Sequence, residues 1–563
     1  MAPMRTDYPF NLGPFGRPVT TANPEAQTWF NRGLTWVYTF NHKEAATCFE
    51  QAIAHDESCA IAYWGLAYAL GPNYNFSWEF FGEDLNNIVQ RTCQASQTAQ
   101  ALAHTATPIE QALIKAIQAR FTSDKPASLE QYAAQNRDYA DAMAAVYHAF
   151  GQDLDVAALY ADSIMSLTPW KLWDLKTGLP NPGTRTLEAK NVLETALRDR
   201  NSSRHPGLLH FYIHLVEMSP NPELGLVPAD HLRDLVPDSG HANHMPSHLD
   251  LLVGDYRAAI QANKRAVVAD EKYLHHAGAM NFYSNYRMHN YHTLIYAAMF
   301  AGQKQVALDA MDRLEATLPK DLLATQADFY EVFVSVRPHI MVRFGLWDEI
   351  INDLPTPQNP SLYAVTTATT YYAKGIAHAA KGDIAEATKY RALYEAAAKV
   401  VPESRLDIPN RCVDILPVGS AMLDGEIEYR RGNYNVAFSH LARAVKLDDA
   451  LGYSEPWSWM QPARHAYAAL LLEQDRVEEA LAVYRTDLGL DNSVLRARQH
   501  FNNVWALQGY HECLVRLGRS AEAAVIEPQL KVAVAVADVE IKSSCFCRRD
   551  TGLVPDVLSE CCR

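Results

Sequence analysis

The sequence has no run of about 20 apolar residues, the length a membrane-crossing helix needs. Its first residues, MAPMRTDYPFNLGPFGRP, contain no apolar signal core. Both absences favour a chain that stays out of membranes, with the cytoplasm as the default location. A basic cluster is also missing. With a formal net charge of −15, the chain repels phosphate backbones, and nucleic acid is a poor partner. There is no phosphate-binding glycine loop, no GxGxxG after a strand, no GxSxG elbow and no HExxH helix. Nucleotide hydrolysis, Rossmann redox chemistry and serine hydrolysis are therefore disfavoured. Cysteine is scarce and odd in number, nine in all. Cys48, Cys59, Cys93, Cys412 and Cys513 are scattered through helical segments and read as buried small apolar residues, not as a disulfide framework. Alternating strand patterns are nearly absent.

What is present is helical periodicity. Units of helix, short Gly- or Asp-containing turn and Ala-rich helix recur, as in LLVGDYRAAIQANKRAV, MFAGQKQVALDAMDRL, HAAKGDIAEATKYRALY, YRRGNYNVAFSHLARAVKL and LLEQDRVEEALAVYRTDL. A small residue after the turn, at Ala259, Ala387 and Ala480, lets two antiparallel helices approach. The N-terminal segment follows the same scheme, with Trp36, Phe40, Phe49 and Trp64 as core aromatics. This is the logic of stacked helical hairpins of the tetratricopeptide type, here with turns roughly 37 to 50 residues apart against a nominal 34. The expected fold is all-α: an irregular helical-hairpin solenoid, curved or closed around a central pocket. It is expected to form one continuous domain over residues 1–540, followed by a Cys-containing tail, 541–563, read as exposed and ending in a disordered LSECCR.

Three loops break the pattern: GPNYNFSWEFFGED (71–84), TPWKLWDLKTGLPNPGTRT (168–186) and GYSEPWSWMQPARH (452–465). Aromatic, Pro-rich loops on a helical scaffold either cap the core or line a pocket. Between them lie three histidine pairs at helical spacing: His210/His214, His244/His248 and His289/His292. Residues three or four apart share a helix face, so each pair can aim two imidazoles at one point. Glu217 sits on the face of His210 and His214, as a ligand, a general base or the carboxylate that orients a ligating imidazole. Pro246 is best placed in the first turn of a helix, which puts His244 and His248 near a helix N-terminus. His241, a turn earlier, is the less certain participant. His275 and His276 are adjacent and point to different faces.

The chain resembles a family of bacterial and fungal tetratricopeptide-repeat proteins. The residues that carry the resemblance are FNHKEA (40–45), YWGLAYALGPNYN (63–75), PWKLWD (169–174), HFYIHLVE (210–217), HMPSH (244–248), HNYH (289–292), EPWSWMQPAR (455–464) and ADVEIKSSCFC (537–547). The resemblance implies a fold and a shared His-rich site, and no settled reaction.

On chemistry, a set of neutral nitrogen donors suits copper, zinc or iron and disfavours magnesium and calcium. The reading is a metal-dependent oxidoreductase. Copper, with iron and zinc as alternatives, would be held by His210, His214, His244, His248, His289 and His292 and would use dioxygen on a small organic molecule, in specialised metabolism. Glu217 and Tyr286 would move protons. His42, Trp64, Asn73, Trp170, Tyr283 and Trp459 would contact the substrate. Cys545 and Cys547 offer soft ligands or a redox couple if the C-terminus folds back. The alternatives are a zinc- or iron-dependent hydrolase or lyase and a non-catalytic interaction scaffold. A homodimer is left open.

Overall fold

The computed structural model describes residues 7–549. Among them the regular structure is helical except for one two-residue antiparallel pair, Leu406–Asp407 against Asn410–Arg411. The chain divides into two compact units: residues 1–249 with 268–272, and residues 250–267 with 273–563.

The first unit opens with α1 (Pro24–Tyr38), α2 (His42–His55) and α3 (Ala60–Leu70). Asn23 caps α1 by accepting from the amides of Glu25 and Ala26, with Pro24 at the first helical position. Asn41 caps α2 through the amide of Glu44. These helices pack closely because Phe49 lies against Gly33 and Gly65. A Cβ on Gly33 would sit 2.8 Å from its ring, and one on Gly65 would collide with it. The unit continues through α4 (Leu85–Leu102), α5 (Pro108–Ile117), α6 (Leu129–Phe150), α7 (Leu154–Met165) and α8 (Thr186–Ala196) to α9 (Pro206–Val216), α10 (Leu226–Leu232), α11 (Gly240–His244) and the start of α12 (Pro246–Val253), as far as Leu249. Pro246 opens α12, as its fixed φ suits.

Helix α9 packs on α1 at Gly207, where a Cβ would lie 2.5 Å from Tyr38 Cδ1. A buried carboxylate, Asp155 of α7, ties the region together. It accepts from Arg17 Nη1 (2.8 Å) and the Tyr38 hydroxyl (2.7 Å), and lies 3.2 Å from His205 Nε2. The other ring nitrogen of His205, Nδ1, accepts the amide of Leu208 and so caps α9.

In the second unit, helix pairs follow the repeated pattern: Ala364–Lys381 with Ile384–Ala398, Cys412–Arg430 with Tyr434–Asp449, and Val504–Arg516 with Ser520–Ala535. The KGD turn shows why. Gly382 takes the left-handed conformation (φ 90°) that ends the first helix, and Asp383 caps the next through the Glu386 amide. Ala387 is fully buried in that turn's wake. The segment after Ala535 departs from expectation. It is not an exposed tail: Asp538 accepts the amides of Lys304 and Gln305, and Ser544, Cys547 and Arg548 are buried. The LSECCR end, with Cys561 and Cys562, lies outside the described residues.

Candidate metal centre

Five imidazoles and one carboxylate gather inside the first unit. His210 and His214 come from α9, Glu217 from its C-terminal cap, His241 and His244 from α11, and His248 from α12. All six are at most 4% exposed. One candidate ligand atom from each of His210, His214 and His241 lies within 4.8 Å of the others, and the same holds for His214, Glu217 and His248. His241 Nε2 is 3.0 Å from His210 Nε2, and His244 Nε2 is 2.7 Å from His248 Nε2. In a tetrahedral site with Zn–N bonds of about 2.0–2.1 Å, ligand nitrogens lie about 3.3 Å apart. These pairs are already close to ligand spacing.

On three of the rings the opposite nitrogen meets a carbonyl or carboxylate. Tyr38's carbonyl accepts from His210 Nδ1 at 2.7 Å, which leaves the lone pair on Nε2. Glu217 accepts from His214 Nδ1 through Oε1 at 2.8 Å and from His248 Nδ1 through Oε2 at 2.5 Å. A carboxylate on the remote nitrogen of an imidazole fixes its tautomer and raises its basicity as a ligand. Burial, reinforced by the neighbouring imidazoles, holds His210 and His241 well below the usual imidazole range. At neutral pH they are uncharged, the form that coordinates metal.

Aromatic rings close over the cluster. Phe40 has a positive φ of 56°, unusual for a bulky side chain. Its ring centroid lies 4.5 Å from His210, 5.4 Å from His241 and 5.8 Å from His214. Tyr74 sits 5.0 Å from His214, and its hydroxyl accepts the amide of Trp170, itself at φ 53°. The loops at 71–84 and 168–186 thus cap the imidazoles. Phe40 and Tyr74 carry this arrangement without having been assigned to it from sequence, and His241, the less certain participant, joins it.

Several of the remaining expected residues make contacts of other kinds. His42 Nδ1 meets the carbonyl of Ala69 at 3.1 Å, and burial pushes its pKa down to about 4. Trp64 stacks on Tyr68, and Asn73 supports its own turn by accepting the amide of Asn75. His289, His292, Tyr283, Tyr286 and Trp459 belong to the second unit. There, His292 Nε2 lies 2.9 Å from Met460 Sδ and the ring packs on Phe333. Tyr283 packs between Tyr273 and Tyr286, and Trp459 packs on His339 and Tyr372.

No family model matches the chain, nor does any curated protein. Solved helical structures do match. Naa15/Naa10 bound to HypK-THB is 13% identical over 91% of this chain and 71% of that one, with a TM-score of 0.22. A monomeric mutant of IFIT1 with m7Gppp-AAAA is 10% identical over 84% and 90%, with a TM-score of 0.32. The APC/C hetero-tetramer Cut9-Hcn1 is 12% identical over 85% and 95%, with a TM-score of 0.26. None of the three is described as an oxidoreductase, and the expectation of a metal-dependent oxidoreductase is not carried further.

Proposed function

We propose that this chain is a non-catalytic helical-repeat scaffold whose first unit is fastened by a buried transition-metal ion. The observation that carries the reading is the enclosed donor set: five imidazoles within one unit, three of them held by a carbonyl or carboxylate on the remote nitrogen. Neutral nitrogen donors favour zinc or copper over magnesium or calcium. Bound there, the ion supplies a cross-link between α9 and the α11–α12 segment. The chain's own part is to keep Nε2 deprotonated at His210, His214 and His248 and to exclude water with Phe40 and Tyr74. Hairpin arrays of this kind present extended surfaces to other proteins, and we assign the chain that role.

The test is elemental analysis of protein purified without chelator, followed by thermal unfolding before and after metal removal. The expected result is a stoichiometric transition metal and a lower melting temperature for the stripped protein, restored by zinc or copper. A protein that carries no metal, takes none up and melts unchanged refutes the proposal.

A further inference from the structure

The second unit holds the one disulfide among the described residues, Cys545–Cys547, with an S–S distance of 2.10 Å. Five other cysteines among the described residues, Cys48, Cys59, Cys93, Cys412 and Cys513, are outside any disulfide, and all are buried. In a chain otherwise full of thiols, an isolated disulfide is more often reactive than structural. Its place supports that reading. Both sulfur-bearing residues line a cavity of about 30 Å³, together with Arg343, Tyr372, Glu426, Gln461, His465 and Ser544 among others. Cys545 is half-buried, whereas Cys547 is only 2% exposed.

Of the charged groups around the cavity, Glu426 of the lining is ion-paired to Arg430 at 2.9 Å. Arg343 is 3% exposed and has no carboxylate partner among the described residues. One of its amino groups meets His465 Nδ1 at 2.9 Å, the other donates to the Ser544 carbonyl, and Nε has no hydrogen-bond partner among the described residues. His465 is in turn held by Asp487 through Nε2 at 2.9 Å. The dyad therefore positions the arginine and leaves its charge for an anion in the cavity. Arg430 donates to the Cys547 carbonyl, and the Cys547 amide lies 3.1 Å from Cys545 Sγ. A buried cation and a backbone N–H both favour thiolate over thiol.

We propose that Cys545 and Cys547 form a thiol–disulfide exchange site for low-molecular-weight thiols, with Cys545 the sulfur attacked and Cys547 the resolving thiol. An incoming thiolate attacks Cys545 Sγ. The Cys545–Cys547 bond breaks, a mixed disulfide forms on Cys545, and Cys547 leaves as a thiolate beside Arg343. A second thiol attacks the outer sulfur of the mixed disulfide, which releases the oxidised small disulfide and a Cys545 thiolate next to the Cys547 amide. Two electrons pass from two thiols to the protein, and their two protons end on the cysteines or in solvent. The reverse reaction oxidises the pair. A cavity with room for about two waters admits a thiol head group and excludes a folded partner's loop. The proposal uses none of the histidines of the first unit.

The test uses the full chain and glutathione. Folded protein is equilibrated in reduced or oxidised glutathione, acid-quenched, alkylated and analysed by peptide mass spectrometry. The expected result is reversible conversion of Cys545 and Cys547 between disulfide and two alkylated thiols, with the five buried cysteines labelled only after unfolding. Cys547→Ser should trap one glutathione on Cys545 when mixed with oxidised glutathione, and Cys545→Ser should trap at least tenfold less on Cys547. Circular dichroism confirms that both variants fold. The proposal is overturned if the folded pair resists reduced glutathione, if it remains two thiols in oxidised glutathione, or if the two single variants trap equally or not at all.

Discussion

Glu217 is where the metal proposal is most exposed to test. Its carboxylate is fully buried and accepts from two imidazoles at once, His214 Nδ1 at 2.8 Å and His248 Nδ1 at 2.5 Å. Glu217→Gln keeps the shape and replaces one acceptor oxygen with an NH₂ donor. That donor faces an Nδ1–H on one of the two rings. To avoid two opposed hydrogens the ring must move its proton to Nε2, and an Nε2–H cannot coordinate a metal. One ligand of the set is thereby lost or forced to pay for the tautomer change. Substitutions at such remote carboxylates weaken metal binding about 10–100-fold, which corresponds to about 1.4–2.7 kcal/mol. The assay is competition against a chromophoric chelator with zinc, and d–d absorption with cobalt, at pH 7.5. The expected result is a 10–100-fold higher Kd with stoichiometry unchanged. Unchanged affinity would refute the assignment of Glu217 as the orienting group, and with it the argument that the tautomers are preset.

Other positions give separate outcomes. Phe40→Ala removes a 3% exposed ring from the face of three imidazoles and should cost about 3–5 kcal/mol in chemical denaturation. Because the position is left-handed, Phe40→Gly should be no less stable than the alanine variant. Gly65→Ala drives a methyl into the Phe49 ring and should cost about 1–3 kcal/mol, relieved in part by Phe49→Leu in a double-mutant cycle. His339 is buried beside Trp459, and burial pushes its pKa down to about 4 from an unfolded value near 6.5. The folded state holds it neutral, so its contribution is complete above pH about 6.5 and is lost as pH falls toward 4, to a limit of roughly 3 kcal/mol. His339→Leu should flatten the acid limb of a stability–pH curve measured by urea unfolding; an unchanged limb would assign the acid sensitivity elsewhere.

The hairpins were legible because their turns carry local chemistry. At Lys381–Gly382–Asp383 a glycine that ends one helix precedes an aspartate that caps the next, and no tertiary information is needed to see it. His210, His214, His244 and His248 were legible for a similar reason: helical spacing places each pair on one face. His241, a turn earlier, was legible only as the less certain participant; it joins the cluster because Ser239 caps α11 and sets its first turn. Two things were not legible. Phe40 closes the cluster from a backbone conformation that a phenylalanine rarely adopts, so propensity argued against it. His292 has the spacing of a ligand pair and yet meets Met460 and Phe333, because its face is decided by what packs on its helix and not by its period.

The cluster also shows how residues that touch no imidazole of a metal site can control it. The orientation of His210 depends on the carbonyl of Tyr38, which closes α1. Tyr38 is held from its other end by Asp155, whose buried carboxylate also takes Arg17 and His205. Those contacts hold Asp155 below the usual carboxylate range against the cost of its burial. His205 passes the constraint on by capping α9, the helix that carries His210 and His214. The ring and its acceptor are therefore fixed by one network, which anchors α1 through a hydroxyl and α9 through its first turn. A donor set arranged this way owes its geometry to helix ends and buried charge more than to the imidazoles themselves. That is why five imidazoles can stay packed at near-ligand spacing within the helical core of the first unit.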